Sequence, residues 1–123
     1  MSYKIIRDKI PLIAEQNQNR KGMTLTTFKP EDDSTVRMYF RGKILEEATE
    51  VFETVNDRDL KWEIVDLIQA VDEFMIYLGI SDEELETLVK AKQYTQGKFI
   101  HSMNEETLET KMYVLDIKEN GNG

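Results

Sequence analysis

Cysteine is missing from this chain altogether, histidine and tryptophan occur once each, and proline occurs twice. Without cysteine there is no disulfide framework, and a lone histidine argues against a zinc site of the usual Cys/His kind. No apolar run approaches the ~20 residues that cross a bilayer. The opening MSYKIIRDKIPLI has neither the apolar core nor the small-residue cleavage site of a secretion signal. These absences give a cytoplasmic location as the expectation. The chain also lacks internal repeats, a glycine-rich phosphate loop, a GxGxxG motif, and any Ser/His/Asp or Cys/His set.

Basic charge is scarce as well. Sixteen Lys and Arg face 24 Asp and Glu, for a net charge of −8. Residues 1–45 carry nine basic against five acidic side chains, residues 46–73 two against ten, and residues 74–123 five against nine. An acidic middle segment of this kind opposes nonspecific binding to nucleic-acid polymers, which requires Lys and Arg on phosphates. A small polyphosphate that brings its own cations is not opposed. The 123 residues, 40% of them hydrophobic, suffice for one domain with one core.

Residues 4–19 read as a short helix, with Pro11 tolerable only in its first turn. RKGMTLTTFK reads as a loop with a short extended piece. The acids of PEDDS mark a helix start, and that helix is expected to run to about Thr54. On its wheel Phe40, Ile44, Val51 and Val55 form an apolar stripe, with Lys43, Glu47 and Glu50 beside it. Asn56 or Asp57 can cap a third helix over roughly 58–79. Its core face is Ile64, Leu67, Ile68, Val71, Phe74, Met75 and Leu78, with Val65 and Ile76 on the opposite side. Gly79 ends it, and Ser81 with Glu84 matches a capping box for a fourth helix, roughly 82–95, ending at Gly97. KMYVLDI at 111–117 reads as a strand that pairs with MTLTTF or extends an edge, and ENGNG as a disordered tail.

The chemistry concentrates in five carboxylates. Glu46, Glu47 and Glu50 lie on one helix, Glu63 and Asp66 on the next, three or four residues apart within each set. Twelve residues containing NDRD separate Glu50 from Glu63. If the two helices pack antiparallel, both sets face one gap, where they repel unless a cation sits among them. Hard cations such as Mg²⁺ take oxygen ligands of this kind together with substrate phosphates. A lone EExxE is a common feature of acidic helix surfaces. Two such groups bordering apolar stripes, with little compensating lysine one turn on, point to a site. Lys43 is placed either to reach a phosphate or to pair with Glu47. Arg7, Lys9, Lys92 and Lys98 are further phosphate candidates or ordinary surface charges. Trp62 and Tyr39 can stack on a base or pack in a core, and His101 reads as polar surface.

KILEEATE, of the form KxxEExxE, followed by EIVD, of the form ExxD, resembles the signature of the all-α NTP pyrophosphatases. That superfamily includes MazG, dimeric dUTPases and phosphoribosyl-ATP pyrophosphohydrolase. KIIRDKIPLI is similar to the KLVRDKIPEII opening of a small MazG-like branch, and Gly97-Lys98-Phe99 stands where that branch has a GGF-like element. The likeness spans roughly residues 3–100. EIVD departs from the commoner ELAD, Lys98 replaces a glycine, and nothing after residue 101 has a counterpart.

The resemblance implies a Mg²⁺-dependent hydrolase, with Mn²⁺ as a substitute, that cleaves a nucleotide between its α- and β-phosphates. By position it makes Glu47, Glu50, Glu63 and Asp66 the metal ligands. Glu46 becomes an accessory ligand or a group that orients the attacking water, so Glu46 and Glu47 are the catalytic candidates. It also implies a homodimer or homotetramer. The expected fold is all-α: a four-helix-bundle-like, MazG-type domain over residues 1–103 with a small strand pair at one edge, then a C-terminal extension over 104–123. Two other functions stay open. One is phosphoribosyl-ATP hydrolysis, which the RDKIP opening mildly disfavours. The other is a non-catalytic helical interaction protein.

Overall fold

The computed structural model describes residues 4–9 and 29–117. Each helix begins where a side chain can take up amides that the first turn leaves unpaired. At Asp32 the carboxylate accepts from the Thr35 amide at 2.6 Å, and helix α1 runs Asp33–Glu53. Thr54 leaves the helix in extended conformation, its amide donating to the Glu50 carbonyl at 3.1 Å. The Asn56 side chain then accepts from the amides of Arg58 and Asp59, and helix α2 runs Asp57–Tyr77.

A glycine-terminated motif closes α2. The Ile80 amide reaches the Met75 carbonyl, the Gly79 amide reaches that of Ile76, and Gly79 has φ of +76°, which a Cβ would strain. Ser81 at once caps helix α3, Asp82–Gln96, by accepting from the Glu84 amide at 3.1 Å. All three helices thus fall within a few residues of their expected spans, and the caps are the expected residues.

α1 and α2 pack antiparallel, since residues early in one meet residues late in the other. Phe40 stacks on Phe74 with ring centres 5.1 Å apart and planes 11° from parallel, and it meets Tyr77 at 5.9 Å. The Tyr77 hydroxyl donates to the Asp33 carboxylate at 2.5 Å, which holds the Asp33 carboxyl below its ordinary value and pushes the Tyr77 phenol up. Phe40, Ile44 and Val51 lie half-buried, as do Leu67, Phe74, Met75 and Leu78.

Four stripe assignments fail, those of Val55, Ile64, Ile68 and Val71. Val55 is 90% exposed because α1 has already ended, and Ile68 is 61% exposed because the seam with α1 is narrower than the apolar face of α2. Phe52, Trp62, Val65 and Ile76 are exposed as well.

The helix expected over 4–19 is not seen in its described part. Residues 4–7 carry no regular structure and a turn stands at Asp8 and Lys9. Helix through this segment would set the Pro11 ring against the Arg7 carbonyl, the acceptor four residues back. Residues 10–19 lie outside the described residues, so three helices are described where the sequence reading expects four.

The strand pair also differs from expectation. β1 (Ser102–Met103) pairs antiparallel with β2 (Thr110–Lys111), Ser102 opposite Lys111 and Met103 opposite Thr110. Of KMYVLDI only Lys111 is in a strand. The reason is local: the Asn104 side chain accepts from the amides of Glu106 and Thr107, folding the chain back at that point. Leu108 completes the turn with φ of +61°. MTLTTF and the ENGNG tail lie outside the described residues.

The chain forms two compact units, Met1–Ile80 and Ser81–Gly123. The β1–β2 hairpin spans the domain boundary expected at 103. Among the described residues no helix is long and apolar enough to cross a membrane. The Asn56 cap permits a direct check. Asn56→Ala should lower stability by about 1 kcal/mol, read as a reduced urea midpoint, whereas an unchanged midpoint would show that packing alone sets the α1–α2 link.

Candidate functional site

Helical spacing carries Phe40, Lys43 and Glu47 along one face of α1, and Asp66, Ala70, Glu73 and Phe74 along the facing side of α2. The Phe40–Phe74 stack fixes the register, and one consequence is a group of three carboxylates. Oxygens of Glu47, Glu63 and Asp66 all lie within 4.8 Å of one another. Oxygens held opposite one another on Mg²⁺ would stand ~4.2 Å apart, twice the ~2.1 Å ligand distance, so small side-chain adjustments suffice to close the set. An all-oxygen donor set suits Mg²⁺ or Mn²⁺ and does not suit softer ions.

Acidic clusters on helices are common. What distinguishes this one is Glu47, only 8% exposed and the one charged side chain buried among the described residues. A charge taken from water needs a partner. Lys43, one turn back, supplies it at 3.2 Å and also reaches Glu46 at 3.4 Å. Glu46 turns toward cations: Lys4 donates to its other oxygen at 3.0 Å. Burial works to raise the Glu46 carboxyl, but the hydrogen bond from Lys4 and the charges of Lys43 and Lys4 outweigh it and hold the group below its ordinary value.

Glu63 goes the other way. Loss of hydration, then the charges of Glu50, Asp66 and Glu47, push its carboxyl above the usual glutamate value of 4.5. Asp66 accepts from Arg7 at 2.5 Å, and the same guanidinium donates to Gln69.

Of these groups Lys43, Glu47, Asp66, Arg7 and Gln69 line a cavity of about 480 Å³. Ile5, Ile6, Phe40 and Ala70 form its apolar wall, and Lys43, Glu47, Asp66, Gln69, Glu73, Arg7, Asp8 and Lys9 its polar one. Of the expected site residues, then, the structure gathers Arg7, Lys9, Lys43, Glu47, Glu63 and Asp66, with Glu46 joined through Lys43. Glu50 is exposed and stands outside the three-carboxylate group, although its charge bears on Glu63. Lys92, within α3, and Lys98, beyond its end, belong to the second unit. There they line an open cavity of about 510 Å³ with Leu88, Val89, Gln93, Gly97, Phe99 and Ile100.

Trp62 is 65% exposed on α2, Tyr39 half-buried on α1, and His101 packs its ring edge-on to Tyr113 at 5.6 Å. Sequence reasoning overlooked Gln69 and Lys4. Gln69 carries a usable signal, sitting one turn past Asp66 on the same face. Lys4 carries none, since its partner is 42 residues away.

Glu63 predicts how stability responds to pH and metal. Its folded value lies above the unfolded one, so the proton-bound form favours folding. That contribution is present at acid pH and is lost as pH rises from about 4.5 through the raised value. Glu63→Gln should therefore raise the melting temperature of the metal-free protein at pH 7, with the gain shrinking toward pH 4. Adding Mg²⁺ should stabilise the wild type more than the variant. A variant less stable than wild type at pH 7 would contradict the crowding of charge at this position.

Comparison with known proteins gives no match: no family model fits the chain, and no curated protein or solved structure is similar to it.

Proposed function

We propose that the protein is a Mg²⁺-dependent nucleoside triphosphate pyrophosphohydrolase, releasing a nucleoside monophosphate and pyrophosphate. The observation that carries this reading is the buried Glu47, grouped with Glu63 and Asp66 and lining, with Asp66, a cavity that also presents Lys43, Arg7 and Lys9. Its volume lies within the ~300–1,000 Å³ of small-molecule sites. The resemblance of KILEEATE and EIVD to the all-α NTP pyrophosphatases supports the same reading. Glu50, the fourth carboxylate of that set, stands outside the group of three and bears on it only through its charge at Glu63.

In this reading Glu47, Glu63 and Asp66 hold the ion, which when bound neutralises phosphate oxygens and acidifies water. Lys43 holds Glu47 in place through their ion pair, and its ammonium lies within reach of a phosphate. Glu46, itself neutralised by Lys4 and Lys43, is better suited to fixing Lys43 than to taking a proton. Ile5, Ile6, Phe40 and Ala70 offer an apolar wall to the base or sugar, with Gln69 and Glu73 as hydrogen-bonding edges.

The exposed Phe52, Trp62, Ile68 and Ile76 favour a homodimer or homotetramer that covers them. The same surface is the observation behind a second reading, a helical interaction protein without catalysis.

Pyrophosphate release from a panel of ordinary and damaged NTPs and dNTPs, with phosphoribosyl-ATP included, separates these possibilities. Release that needs Mg²⁺ and stops with EDTA is expected. Glu47→Gln and Asp66→Asn should each lower kcat by more than the roughly 10- to 100-fold that changes outside the direct ligands cost, with helical circular dichroism retained. Full activity in either variant removes the metal assignment, and silence of the folded protein across the panel favours the interaction protein.

A further inference from the structure

The segment 4–9 is fastened across the site at both ends. Lys4 holds Glu46 at 3.0 Å, Arg7 holds Asp66 at 2.5 Å and also donates to Gln69, and the half-buried Ile5 and Ile6 between them line the cavity. The segment has no helix or strand of its own to keep it there. Among the described residues, these ion pairs and the Gln69 hydrogen bond tie it to the helices.

The three carboxylates of the cluster are neutralised unequally. Glu47 has Lys43, Asp66 has Arg7, and Glu63 has no ion pair among the described residues. The Arg7 guanidinium places one nitrogen on an Asp66 oxygen and the other on Gln69, so a cation already sits on a carboxylate of the cluster. The guanidinium fork fits a phosphate as well as it fits a carboxylate. Asp66 is 38% exposed and Arg7 49%, so the pair is of the weak, solvent-screened kind that a divalent ion can displace.

We propose that Arg7 is a resident counter-cation that competes with the divalent ion for Asp66 and, once released, turns its guanidinium to the phosphates of the nucleotide. This rests on the metal-dependent reading above and adds a regulation to it. Arg7 weakens binding of the ion alone and strengthens binding of a phosphate ligand once the ion is in place. The two ligands are thereby coupled, each favouring the other by the same factor.

Titration calorimetry of the full chain with Mn²⁺ alone, and then with inorganic pyrophosphate in the presence of Mn²⁺, tests the proposal on wild type, Arg7→Gln, Arg7→Lys and Lys9→Gln. Arg7→Gln should tighten Mn²⁺ binding roughly two- to fivefold, the factor by which an exposed ion pair competes, and should weaken pyrophosphate. Arg7→Lys, which keeps the charge and loses the fork, should fall between Arg7→Gln and wild type. Lys9→Gln removes the same charge from the same segment and should change Mn²⁺ binding less than Arg7→Gln does.

Unchanged or weaker Mn²⁺ binding by a helical Arg7→Gln protein overturns the proposal, and so does equal tightening by Lys9→Gln, which would assign the effect to the general field of the segment. Absence of Mn²⁺ binding in wild type and all variants overturns the metal reading itself, and the competition with it. That outcome differs from a wild type that binds Mn²⁺ indifferently to Arg7.

Discussion

Glu47 spends its charge in a helix seam, where water would have solvated it far better, and much of the first unit is arranged around that cost. Lys43, one turn earlier on the same helix, reaches both Glu47 and Glu46. Glu46 is drawn to the lysine side and given a second cation, Lys4. Glu63 and Asp66 then face a carboxylate that cannot turn away into solvent. Ion pairs of this partly buried kind contribute little net stability once desolvation is counted. A chain selected for stability alone would do as well with an apolar pair here.

Register is the second constraint. The Phe40–Phe74 stack and the Tyr77–Asp33 hydrogen bond fasten the open end of the hairpin, while the Asn56 cap fixes the linked end. Sliding one helix by a turn would move side chains ~5.4 Å along the axis. Glu47 would then leave Glu63 and Asp66, and Phe40 would leave Phe74. The aromatic contact and the carboxylate group therefore depend on one alignment.

Much of this was legible in the sequence because it is written in local chemistry. Asp32, Asn56 and Ser81 cap helices through bonds spanning two or three residues, and Gly79 stops α2 through its own backbone freedom. The carboxylates could be grouped by spacing within each helix for the same reason. What spacing does not contain is the facing partner. Five acids were candidates, yet the three that meet are set by how α1 aligns with α2. That alignment leaves Glu50 outside and turns Glu46 toward lysines. The contacts of Arg7 and Lys4 cross 59 and 42 residues of sequence, beyond any periodicity. Ile68 misled because an apolar residue on a helix wheel signals burial only where a neighbour arrives. The hairpin at 102–111 escaped notice because its strands are two residues long and its turn is made by Asn104 rather than by an Asn-Gly pair.

The brevity of the link between α1 and α2 has a kinetic consequence. Glu47, Glu63 and Asp66 all come from one stretch of chain that doubles back through Thr54, Val55 and Asn56. Closing so short a loop costs little entropy, and contacts of low sequence separation form early in folding. The acidic group is therefore assembled by the fastest-forming part of the unit, before the distant segment that carries Lys4 and Arg7 has to find it. On that expectation the carboxylates and their lysine come together first, as one short hairpin, while the rest of the chain is still being ordered.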